Sequence, residues 1–95
     1  MKNTEITDQK LDKYFDITKR ALDKVKITIK DSEKKNIALD FLQMASNYYS
    51  DAKHFREKGD YVSAFGALNY AHAWLDAGAR MKIFDVNDQE LFAAD

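Results

Sequence analysis

Apolar positions recur at steps of three and four along most of this chain, the period of helix faces rather than of strands. The first run is Leu11, Phe15, Thr18, Leu22, Val25 and Ile29, a heptad seam suited to near-parallel packing in a bundle. Thr7 stands where an N-cap belongs and Asp8 where the helix dipole favours an acid, while Ile6 and Leu11 have the spacing of a hydrophobic staple. A first helix is therefore expected over 7–29, fraying in the β-branched run that ends at Ile29. A second is expected over 32–58. Ala38, Phe41, Leu42, Ala45, Tyr48, Tyr49, Ala52 and Phe55 face inward, and Asp40, Gln43, Asn47, Asp51 and His54 face out. Gly59 suits the left-handed residue that ends such a helix, and Asp60 caps the next one. So short a connection folds the two helices back antiparallel.

The third helix, expected over 60–82, is apolar almost all the way round. Tyr61, Ala64, Phe65, Leu68, Ala71, Leu75 and Ala79 form one stripe, and Gly66, Tyr70, Ala73, Trp74, Ala77 and Met81 form a second. Only a narrow sector with Asn69, Asp76 and Arg80 suits water. Two partner helices cover one broad face, so the second stripe needs a cover of its own. Aromatic anchors beside small residues are the composition that interfaces prefer, which makes Tyr70, Trp74, Ala77 and Met81 the candidate interaction surface. The tail, 84–95, carries Phe84, Val86, Leu91 and Phe92, with a single turn expected around 88–92, and is a candidate cover for that stripe.

Composition narrows the picture without changing it. The chain has no proline and three glycines, as long uninterrupted helices require. It has no cysteine, which excludes disulfides, zinc ribbons and thiol nucleophiles. The first residues lack the apolar core of a signal peptide, and no apolar run approaches a membrane span, so a cytoplasmic protein with no membrane partner is expected. Residues 1–36 carry ten Lys and Arg against seven Asp and Glu, but the signs interleave, as in the Asp16–Arg20 spacing, which marks a solvated helix face. With a net charge of −1 and only Arg80 and Lys82 as bases on the third helix, nucleic acid is not expected as a partner.

The Gly59-Asp60-Tyr61 corner, with small residues at Ala64 and Ala71, resembles one tetratricopeptide hairpin, although a solenoid needs about three such repeats. A wider resemblance rests on three runs: Tyr48-Tyr49 followed by Asp51-Ala52 and Phe55, Gly59-Asp60-Tyr61 followed by Ala64-Phe65, and Tyr70-Ala71-His72 followed by Trp74-Leu75-Asp76-Ala77-Gly78-Ala79-Arg80. In these the chain resembles short archaeal proteins grouped as domain of unknown function 357, over roughly residues 11–84. The resemblance implies an archaeal cytoplasmic origin and an up-down-up three-helix bundle, and it carries no catalytic residue. Ala73 and Lys82 stand where members of that family often have glycine.

Candidate chemistry is sparse. His72 and Asp76 lie one helical turn apart, a spacing that suits two metal ligands or a small-molecule site, and Asp51 and His54 lie three apart on the second helix. The hairpin register separates the two histidines by roughly 10 Å along the axis, so one shared ion is excluded. His72 falls between Leu68 and Leu75 on the first stripe, where a hydrogen-bonded histidine at the core's edge is the favoured reading. Asp76 and Arg80 have the spacing of an ion pair. Arg20, Arg56 and Arg80 have no histidine five or six residues downstream, which removes the small helical nucleases, and no nucleophile grouping or phosphate-cradling loop occurs. The expectation is an all-α three-helix bundle with a short C-terminal tail, with no catalytic, metal or cofactor residues. It would act as an interaction or assembly module, as a homodimer first and with another protein second. A small-molecule or metal-binding protein using His72 and Asp76 is the alternative, and an RNA-associated accessory protein a further one.

Overall fold

The computed structural model describes residues 5–29, 33–86 and 91–92. Among the described residues the fold has three helices, α1 (Asp8–Thr28), α2 (Lys35–Glu57) and α3 (Tyr61–Arg80). The Thr7 hydroxyl accepts from the backbone N–H of Lys10 at 3.1 Å and so caps α1. Asp60 does the same for α3, accepting from the Ser63 N–H at 3.1 Å. Gly59, at φ 80°, supplies the left-handed residue between α2 and α3. The expected start of α2 at 32 lies outside the described residues; the helix itself begins at Lys35, and no side chain caps it.

The topology is up-down-up. The start of α1 lies by the end of α2, where Arg56 bonds Asp12 at 2.7 Å and Asp8 at 3.3 Å. The end of α1 shares a core cluster with the start of α2, through Val25, Ile29 and Ala38. Tyr61, in the first turn of α3, also donates its hydroxyl to Asp8, so one carboxylate joins all three helices at this end.

The closest pair is α2 with α3. Ala38, Ala45 and Ala52 are fully buried at seven-residue intervals on α2, and Ala64, Ala71 and Gly78 are buried at the same interval on α3. The ring contacts Tyr48–Tyr70 and Phe41–Trp74 set the register of the hairpin. That register brings Ala38 level with Gly78, Ala45 with Ala71, and Ala52 with Ala64. With a methyl group or less on both sides, the backbones pack closely and the seam has no room for larger side chains.

Bulk comes from outside the seam. One cluster, near the α2–α3 corner, gathers Leu11 of α1 with Ala52, Ala64, Ala67 and Leu68. The other joins Leu22 and Val25 of α1, and Ile29 just past its end, to Leu75 and to Phe84, Leu91 and Phe92. Phe84 and Phe92 are among the largest fully buried side chains. Phe84, Leu91 and Phe92 of the tail are thus part of the core. Among the described residues, no buried polar side-chain atom lacks a partner.

Candidate interaction surface

The end of α3 decides where the tail goes. Lys82 N–H bonds to the Ala79 carbonyl at 3.1 Å and Ile83 N–H to that of Gly78 at 2.9 Å. These two bonds make a Schellman motif in which Lys82 takes the left-handed position, at φ 59°. The chain then turns back, and the Phe84 ring lies against Gly78 so closely that a Cβ there would meet ring carbons at 2.2 and 2.5 Å.

Leu91 and Phe92 are buried in the core cluster that includes Ala21, Leu22 and Val25 of α1. His72 holds this segment: its Nε2 donates to the Leu91 carbonyl oxygen at 2.6 Å and lies 3.4 Å from Asp76 Oδ1. The described tail therefore lies on the α1 side of α3, and the second stripe is not what Leu91 and Phe92 cover. An apolar side chain that leaves water for a gap between two helices gains more than one laid on an open face, because it is surrounded on more sides. The turn expected around 88–92 falls mostly outside the described residues.

A hollow of about 220 Å³ opens beside His72, lined by Tyr14, Ile17, Leu68, Asn69, His72, Ala73 and Asp76. Its imidazole already serves the tail and Asp76. His54 lies exposed on α2, and among the described residues no group of three or more metal-ligating side chains comes together.

Among the described residues nothing covers the second stripe. Tyr70 and Met81 are each 63% exposed, Ala73 and Ala77 are exposed, and Trp74 is half-buried. Trp74 stands edge-on to Phe41 of α2 with centroids 5.0 Å apart, and Tyr70 stacks on Tyr48 at 5.3 Å. Between them lies a shallow apolar depression of about 290 Å³, lined by Phe41, Tyr70, Ala73, Trp74, Ala77 and Met81. Part of this surface belongs to α2, where sequence reasoning assigned Phe41 and Tyr48 to the inside only. The missed signal is their spacing. Ile37, Phe41, Met44 and Tyr48 follow steps of four, three and four, and so do Tyr70, Trp74, Ala77 and Met81. Ile37 is 51% exposed on this stripe.

The rims carry charge of opposite sign. Exposed Asp40 and Asp51 flank the stripe on α2, and exposed Arg80 flanks it on α3. Among the described residues no helix is long and apolar enough to cross a membrane.

The family model described as protein of unknown function DUF357 matches residues 13–84, most of the chain, and the protein belongs to that family. The match takes in all of α2 and α3 and ends at Phe84, before the tail residues Leu91 and Phe92. No curated protein and no solved structure gives a significant match.

Proposed function

We propose that this member of the family is a non-enzymatic interaction or assembly module, and that the α2–α3 face around Tyr70, Trp74, Ala77 and Met81 is its contact surface. One observation carries the reading: among the described residues a continuous apolar strip remains open to water, while Leu91 and Phe92 of the tail are buried elsewhere. Soluble monomers seldom leave such a strip uncovered, and those that do generally bind something with it. Its make-up supports the same reading, because two large aromatic rings stand beside small Ala73 and Ala77 in a shallow depression with charged residues only at the margins.

A second copy of the chain is the first partner to test. Ala77 is exposed on a helix, so Ala77→Glu leaves stability within about 0.5 kcal/mol while placing a charge in the middle of the strip. Size-exclusion chromatography with light scattering is expected to give a dimer for the natural sequence and a monomer for the variant, with the same helical circular dichroism. A natural chain that stays monomeric from micromolar to millimolar concentration removes the second copy as the partner.

A further inference from the structure

The geometry points to one arrangement for that second copy: a twofold axis running along the groove between α2 and α3, so that each α2 lies antiparallel on the α3 of the other copy in a four-helix layer. The inference rests on the interaction reading above and adds the partner's orientation.

Three observations lead to it. The two stripes have the same spacing, four then three then four, and the Tyr48–Tyr70 and Phe41–Trp74 contacts hold them level with each other. Rotation about an axis parallel to the helices preserves level. Each ring that touches its neighbour in one chain therefore finds the same kind of neighbour across the interface, and heptad seams interdigitate as they do in four-helix bundles. A surface built this way is complementary to itself, which a twofold contact requires.

The second observation is charge. The axis along the groove sets the α2 rim, with Asp40 and Asp51, beside the α3 rim of the other copy, with Arg80. Asp40 and Arg80 stand about 6 Å from the same level, a separation that a long arginine side chain spans. A twofold axis across the helices stacks α2 on α2 instead and sets two acidic rims together, which like-charge repulsion disfavours. The third observation removes a competing occupant, since Leu91 and Phe92 are already buried in the core cluster with Leu22 and Val25.

The chain has no cysteine, so single cysteines report on geometry without background. Asp40→Cys and Arg80→Cys are made separately, refolded together in equal amounts and treated with a short bismaleimide. Cross-linking between the two different variants is expected to exceed that within either alone at least several-fold. The variants Asp40→Arg and Arg80→Asp are each expected to weaken the dimer, and the chain carrying both is expected to recover it.

A dimer by light scattering in which Asp40→Cys links chiefly to itself overturns the arrangement and leaves the interaction reading standing. A dimer in which neither pairing links overturns it as well. A monomer at every concentration removes both this arrangement and the homodimer.

Discussion

Single residues at the end of α3 set the path of the tail. Lys82 occupies a left-handed position that costs an ordinary L-residue about 1 kcal/mol and glycine almost nothing. Lys82→Gly is therefore expected to stabilise the fold by about 0.5–1 kcal/mol in urea unfolding, with no change in helix content. Gly78 is the opposite case. Alanine is the better helix former by about 1 kcal/mol, but its methyl would collide with a fully buried Phe84 ring that has nowhere to move. Gly78→Ala is expected to destabilise by about 1–3 kcal/mol despite the gain in propensity, and Phe84→Leu in the same chain should return part of the loss. The sequence gives no sign that Lys82 is left-handed; the Schellman bonds that end α3 impose it. That Gly78 is the glycine needed for close approach was not visible there, because Phe84 reaches it only through the turn at Lys82.

Elements pair by the size of what lies between them. The alanine positions of α2 and α3 repeat every seven residues and meet at equal levels, so this pair packs more closely than either does with α1. A larger side chain in the seam has to push two backbones apart. Ala45→Leu is expected to cost at least about 1–3 kcal/mol, in contrast to the near-neutral Ala77→Glu on the open side of the hairpin. Denaturant midpoints for the two variants check the contrast. The pattern of α1, α2 and α3 and the antiparallel corner at Gly59 and Asp60 were legible from period and capping alone, since both signals are local. The outward side of Phe41 and Tyr48 was harder to see. A half-buried ring shows the same period whichever of its edges meets water.

At the scale of the whole molecule, Asp8 links the start of α1 to the α2–α3 corner through Tyr61 and Arg56. The Tyr61 hydroxyl, and after it Arg56, holds the Asp8 carboxyl below its ordinary value of 3.8. The same bond to Asp8 is the main cause that raises the Tyr61 phenol above its ordinary 10.0. A carboxyl with a lowered value stabilises the fold above the unfolded-state value, and that contribution is lost as pH falls through the folded one. A phenol with a raised value does the reverse, contributing below about 10 and losing the contribution as pH rises past it. The tether is therefore complete between roughly pH 4 and pH 10 and weakens on either side. Tyr61→Phe is expected to flatten both limbs of the curve of unfolding free energy against pH, measured by urea titration. If both limbs persist unchanged, other groups cause them.

Period, caps and the absence of proline sufficed for three helices, their order and an excess of apolar surface on the last one, because each of these follows from neighbours three or four positions apart. The side of α3 that receives Leu91 and Phe92, the service of His72 to the Leu91 carbonyl, and the joining of two stripes from different helices into one open face depended on the folded chain. These are contacts between residues far apart in the chain. Their outcome is set by which gap an apolar side chain fills best, a competition between volumes in three dimensions that no spacing along a line records.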